Sequence, residues 1–234
     1  MLTLVLTRHG LTDRSVPEQH IGQHIDISIN ADGRRQAEAL GHRLAHVAFD
    51  RVITSPLFRA RETAEVVVRR IPAVADPRLR EMDYGAWEGR TYESILATDR
   101  ALRREWEVAP DTTRCPGGES GEDVGVRVRA FLTDLLEEQR TWHAKASFRA
   151  VTSGGAMEVA PERRVLLVGH ATTNRILISV ALGTDLRGYR RRFDQGQANL
   201  TVLRWESSGA PEDATLLLLN DLAHLRGPRD TPWE

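Results

Sequence analysis

Two hydrophobic periods alternate along this chain. Residues 2–7, LTLVLT, set Leu2, Leu4 and Leu6 two apart around Val5, the spacing of a strand, and the run breaks at Arg8, His9 and Gly10. From Asn30 the period lengthens: Ala37, Leu40, Leu44 and Val47 fall three or four apart, predicting a helix with Asn30 as its N-cap. A short strand around Val52 and Ile53 follows. Then come Ser55 as expected N-cap, Pro56 at the first helical position, and a helix carrying Ala60, Ala64 and Val67. Residues 76–118 interrupt the alternation with a loop, a helix containing Ile95, Leu96 and Trp106, and a turn-rich CPGGES. Val124, Val128, Phe131, Leu132 and Leu135 predict a long amphipathic helix. In 141–164, a Ser153-Gly154-Gly155 turn flanked by Phe148, Val151, Met157 and Val159 reads as a hairpin insertion. RRVLLVGHATTNRILISVALG is again strand, polar corner and helix, closed by Gly183. LTVLRW and TLLLLN, joined by a turn with Gly and Pro, predict a final antiparallel pair.

Strands alternating with helices predict an α/β fold. The expected architecture is a three-layer α/β/α sandwich around a mainly parallel sheet, with an antiparallel strand near the C-terminus. One domain, 1–234, accounts for the whole chain, with the 76–118 excursion placed like a lid. In such sheets ligands gather beyond the carboxyl ends of the strands. Three strands end there in polar corners: TRHG at 7–10, TSPLFR at 54–59 and VGHATTN at 168–174. Parallel neighbours would bring Arg8, His9, Arg59 and His170 together, two guanidinium groups and two imidazoles with no carboxylate among them. A phosphate monoester, with roughly −1.5 to −2 charges near neutral pH, complements that set. Arginine grips phosphate oxygens bidentately, and an imidazole can attack phosphorus or donate a hydrogen bond.

Composition narrows the partners. With 32 Lys and Arg against 33 Asp and Glu, the net charge is −1, so we expect no nucleic-acid partner and no polybasic membrane contact. Anion binding must be local. Cys115 is the single cysteine, which excludes an intrachain disulfide and fits a reducing compartment. No basic leader precedes the first strand, and no stretch approaches the ~18–20 apolar residues of a membrane span. The chain reads as soluble and cytoplasmic, and a homodimer is compatible with it.

Five motifs in order carry a family resemblance: RHG with Thr12 after it, SPLFRARETA at 55–64, LREMDYGAWEG at 79–89, PGGES at 116–120 and GHA at 169–171. Together they resemble the histidine phosphatase superfamily, also called phosphoglycerate mutase-like, and its phosphatase branch in particular. The resemblance implies hydrolysis of a small phosphomonoester through a phosphohistidine at His9, with no cofactor and no metal. It further implies that Arg8, Arg59 and His170 bind and stabilise the transferring group. Glu81 would protonate the leaving oxygen and then act as base toward water. Thr12, Ser15, Gln23 and Ala171 join Arg8, Arg59 and His170 as candidate phosphate contacts. Ser15 stands where relatives often have asparagine, and Ala171–Thr172 should open a helix whose N–H groups face the phosphate.

The chemistry makes its own demands. His9 must be neutral at its attacking nitrogen, which the positive charge of Arg8 and Arg59 favours, and its other nitrogen needs an acceptor that the sequence does not identify. Glu81 needs a partly desolvated wall, for which Met82, Tyr84 and Trp87 are at hand, while Asp83 and Glu88 are the rival acids. Arg59 falls in a first helical turn, where the dipole disfavours a cation, so it should meet an anion. The remaining histidines, His20, His24, His42, His46, His143 and His224, are expected at the surface.

The chain departs from the family at GQHIDISIN, 22–30, where relatives show Gly-x-x-Asp-x-Pro-Leu-Thr: it is one residue longer before Asp26 and lacks the proline. Ile21 replaces a common polar contact. Three other readings stay open. A mutase would return the phosphate to another hydroxyl, and Arg100, Arg103 and Arg104 keep it in view. A non-catalytic phosphate-binding module should have lost His9, Glu81 or His170. A metal hydrolase built on His9 and His170 should show extra carboxylates.

Overall fold

The strand β1 (Leu2–Arg8) puts the period-two pattern to use on both of its faces. Leu2, Leu4 and Leu6 enter one apolar cluster and Val5 the other. β4 (Arg163–Gly169) does the same with Val165 and Leu167 against Leu166 and Val168. A strand buried on both faces needs helices on both sides, and each fully buried leucine stabilises the fold by roughly 2 kcal/mol. α1 (Ala31–Arg43) and α2 (Phe58–Val67) cover one face, while α5 (Gly121–Thr152) and α6 (Ala171–Ala181) cover the other. The computed structural model describes residues 1–152, 162–206 and 209–226.

Among the described residues the sheet has six strands, in the order β3-β2-β4-β1-β5-β6. β2 (Arg51–Thr54), β3 (Ala73–Ala75), β4 and β1 are parallel. β5 (Leu200–Trp205) runs antiparallel to β1, and β6 (Thr215–Asp221) antiparallel to β5. This is the expected three-layer α/β sandwich with its antiparallel C-terminal pair. Gly183 closes α6 in the left-handed region at φ 61°, as expected of a residue after a helix end. No helix among the described residues is long and apolar enough to cross a membrane.

Four local expectations change. The edge strand β3, exposed throughout, has no buried face to predict it from the sequence. The single helix expected through Ile95 and Trp106 is two, α3 (Tyr92–Thr98) and α4 (Arg100–Val108). They part at Asp99, whose carboxylate accepts from Trp87 Nε1 at 3.1 Å and Arg90 Nη1 at 2.9 Å. The hairpin expected in 141–164 is helical as far as Thr152, so Phe148 and Val151 extend α5; no Gly or Pro interrupts the helix there, and each added residue adds a bond. The Ser153-Gly154-Gly155 turn, Met157 and Val159 lie outside the described residues. Finally, α2 begins at Phe58 rather than after Ser55. Its N-cap position is Leu57, and its first N–H donates across the loop to Asp26 Oδ1 at 2.7 Å.

Candidate active site

The three polar corners meet because their strands are neighbours. Arg8 pairs in register with Gly169, the His9 N–H donates to the Gly169 carbonyl at 3.0 Å, and the Ser55 N–H donates to the Val168 carbonyl at 3.0 Å. Gly10 is needed for this approach: a Cβ there would lie 2.4 Å from the Gly33 carbonyl oxygen in α1. Thr63 then ties the corner to α2, accepting from the Gly10 N–H at 3.1 Å and donating to the Arg59 carbonyl at 2.6 Å.

His9 and His170 stand with ring centroids 5.2 Å apart. The acceptor missing from the sequence reading is a main-chain carbonyl: His9 Nδ1 lies 2.7 Å from the oxygen of Gly10. A carbonyl can only accept, so Nδ1 carries the proton and the lone pair is on Nε2. Burial, then Arg59 and Arg8, holds the His9 imidazole well below its ordinary titration range, so the ring is neutral. His170 is lowered likewise, by burial first and then by Arg59, His9 and Arg8. It is fully buried, and neither ring nitrogen has a hydrogen-bond partner among the described residues.

The two arginines differ. Arg8 Nη1 donates to the Gln195 carbonyl at 3.0 Å, and Nη2 lies 3.9 Å from the exposed Glu18 carboxylate. Arg59 is fully buried and clasps the departing loop: its guanidinium donates to the carbonyls of Ile25 (3.1 Å), Ile21 (3.2 Å) and Gly22 (2.8 Å). The first-turn cation is therefore already met by main-chain oxygens rather than by the anion expected from its helix position.

A cavity of about 500 Å³ opens over this floor, with Arg8, His9, Ser15, Glu81 and Ala171 in its wall. Thr12, Gln23, Arg59 and His170 are not part of that wall. Thr12 and Ser15 bond each other across a turn, Ser15 Oγ accepting from the Thr12 N–H at 3.1 Å. Gln23 Nε2 is engaged by the Glu81 carbonyl at 3.0 Å and by Glu119 at 3.2 Å, which makes it a brace for the loop. The α6 N-terminus also serves differently from the expectation. Thr172 N–H (3.2 Å) and Thr173 N–H (3.1 Å) donate to the Glu81 carboxylate, as do Thr173 Oγ1 (3.2 Å) and the Met82 N–H (2.9 Å). Glu81, 5% exposed, is thus held rigidly at the cavity edge. Its rivals point elsewhere: Glu88 caps the amides of Gln23, His24 and Ile25, and Asp83 accepts from the Gly85 N–H.

Residues 4–160 and 147–221 match the family described as Histidine phosphatase superfamily (branch 1). The chain belongs to the histidine phosphatase superfamily. It is 35% identical over 230 residues to a protein of Yersinia enterocolitica named "Probable phosphoglycerate mutase GpmB", covering 97% of each chain. Among solved structures it is similar to the mycobacterial glucosyl-3-phosphoglycerate phosphatase Rv2419c, with 30% identity and a TM-score of 0.77 over 93% of this chain and 98% of that one. It is also similar to the alpha-ribazole phosphatase of Shigella flexneri, with 26% identity and a TM-score of 0.73 over 94% and 96%. Proteins named as phosphatases and proteins named as probable phosphoglycerate mutases thus both stand among its relatives.

Within this superfamily member, several residues that shape the site escaped the sequence reading. Arg127 from α5 donates to the carbonyls of Arg80 (2.7 Å) and Glu81 (3.1 Å) and pairs with Glu119 at 3.1 Å, clamping the Glu81 segment. Glu119 of PGGES completes the clamp by accepting from the Asp83 N–H at 2.9 Å. His20, expected at the surface, lines the cavity. It accepts from Arg103 Nη1 at 2.9 Å and lies edge-on to Tyr84 at 4.9 Å; burial and then Arg103 lower its pKa to about 4. Glu119 stands in the PGGES motif, but no periodicity marks its contact with Asp83, those of Arg127 with Arg80 and Glu81, or that of His20 with Arg103, because each joins segments far apart in the chain.

Proposed function

We propose that this protein is a phosphoric monoester hydrolase acting through a phosphohistidine at His9. One observation carries the reading: the neutral His9 ring, its Nδ1–H anchored on the Gly10 carbonyl, leaves the Nε2 lone pair available in a cavity with Arg8 beside it. Nε2 attacks phosphorus, the bond from phosphorus to the leaving oxygen breaks, and Glu81 supplies that oxygen with its proton. Water then attacks the phosphohistidine while the Glu81 carboxylate takes its proton, and inorganic phosphate departs. Arg8 stabilises charge on the phosphoryl oxygens from the cavity wall, and Arg59 and His170, buried behind that wall, add the charge of a guanidinium and the single N–H donor of a neutral imidazole whose nitrogens have no partner among the described residues. The cationic role is filled by side chains, so the reaction needs no metal ion.

The mutase reading rests on the name of the Yersinia relative, and it differs in the last step, where a second hydroxyl rather than water takes the phosphoryl group. The deciding experiment is rapid mixing with an aryl phosphate in EDTA, followed by trapping of protein-bound phosphate and a product assay. An acid-labile, base-stable adduct on His9 and steady release of inorganic phosphate are expected. Turnover that vanishes in EDTA and returns with a divalent ion overturns the metal-free mechanism. Phosphate that moves between hydroxyls without release makes the protein a mutase.

A further inference from the structure

The cavity is far larger than a phosphoryl group, and away from His9 its wall sets Arg103, Arg190, Tyr92 and Trp106 beside the carboxylates of Glu93 and Glu107. Five arginines stand in its wall, and four of them already have an acceptor: Arg8 the Gln195 carbonyl, Arg14 Gln19, Arg103 Glu107, and Arg175 Asp194. The guanidinium of Arg190, from the short helix α7 (Tyr189–Arg192), has no hydrogen bond or ion pair with any described residue. Its guanidinium lies 4.2 Å from the ring centroid of Trp106, and that of Arg103 lies 4.7 Å from the same ring. Stacking on an indole holds a guanidinium by its face and leaves its N–H edge to be satisfied by something else. A half-buried cation among like charges is costly without an acceptor. Burial lowers the Arg190 pKa, opposed by Tyr189 and Tyr84 and helped by Arg103 and Arg175.

We propose that Arg190 receives a second anionic group of the substrate, a carboxylate or a second phosphate, while the phosphoryl group to be transferred sits at His9. This rests on the hydrolase reading and narrows it. The substrate is a doubly anionic phosphomonoester whose two charges span the cavity, and Arg190 determines specificity rather than taking part in the chemistry. Trp106, 1% exposed and in contact with Arg103 as well as Arg190, fixes the position of the receiving guanidinium.

The test uses ω-phosphonooxy carboxylates with two to five methylenes, each paired with its neutral primary amide, and alkanediol bisphosphates of the same lengths as the second-phosphate arm. Wild-type protein should favour the acid over its amide by about tenfold or more in kcat/KM at one or two lengths, the factor expected of one charge-assisted hydrogen bond. Arg190→Gln, which keeps the stem over Trp106, should bring that ratio close to one, and Arg190→Lys should restore part of it. A better bisphosphate than carboxylate at the favoured length assigns the natural anion as phosphate, and the reverse assigns it as carboxylate. Equal rates for acid and amide at every length, or a preference that survives in Arg190→Gln, overturns the proposal. Calorimetric binding of the same pairs to His9→Ala, with and without Arg190→Gln, reads the Arg190 contact without turnover. Failure of aryl phosphate hydrolysis in wild type would count against the hydrolase reading alone.

Discussion

At the His9 end of the cavity, side chains hang from strand ends that main-chain pairing has already placed; at the Arg190 end, side chains hold one another. Arg8, His9 and His170 owe their positions to the β1–β4 register, and Arg59 to α2 and three loop carbonyls. Arg103, by contrast, lies over Trp106 at 4.7 Å and Tyr92 at 4.8 Å and bonds Glu107 and His20, all of them side chains. The first arrangement suits a step in which a small displacement is costly. The second can vary its contents without disturbing the sheet. On the proposed reading, the same division separates the groups that transfer the phosphoryl group from those that select a substrate.

The contrast can be broken at several points. His9→Ala should fold normally and lose aryl phosphate turnover by on the order of 10⁴-fold or more, with no trapped phosphate, since His9 is the group proposed to supply the attacking lone pair. Near wild-type turnover would remove the nucleophile from the first corner. Arg59→Ala should lower kcat/KM by about 10³-fold and also destabilise the fold by about 3 kcal/mol, because three loop carbonyls lose their donor. A denaturant midpoint equal to wild type would show that the loop does not depend on Arg59.

Glu81→Gln separates the acid from the nucleophile. It should reduce alkyl phosphate hydrolysis by about 10²-fold or more while still forming the His9 adduct from an aryl phosphate, whose leaving group needs little protonation. Equal losses on both substrates would argue against proton donation by Glu81. At the other end, Arg103→Lys should cost about 2 kcal/mol in urea unfolding, because an ammonium cannot keep the ring contacts and both hydrogen bonds, yet aryl phosphate turnover should change little. A larger effect on turnover than on stability would merge the two regions.

The smallest effect is a pH dependence of stability. His20 titrates at about 4 in the folded protein against about 6.5 when unfolded. Below pH 6.5 the unfolded chain therefore binds more protons, and stability is lost as the pH falls: about 2 kcal/mol between pH 7 and pH 5 from His20. His9 and His170 act in the same direction. Thermal unfolding across this range should show a shallower slope in His20→Gln, and an unchanged slope would place the acid sensitivity elsewhere.

The sequence by itself determined the parallel core, the convergence of TRHG, TSPLFR and VGHATTN, and the family, because each of these is local. Period two buries β1 and β4, a polar corner follows each strand end, and neighbouring parallel strands must put those corners side by side. The same locality misled it at Ser55 and in 141–152. A good N-cap residue is a signal that a distant contact overrides, as Asp26 does at the start of α2, and β-forming side chains do not stop α5 from running on to Thr152 where no Gly or Pro interrupts it. Only the tertiary structure decided that Gly10 supplies the acceptor for His9, that the first turn of α6 faces Glu81, that Arg127 and Glu119 clamp the Glu81 segment, and that His20 and Arg190 enter the cavity wall. Each joins residues whose chain separation carries no periodic signal, or, like the Gly10 carbonyl, involves a backbone atom that every residue has and no sequence distinguishes.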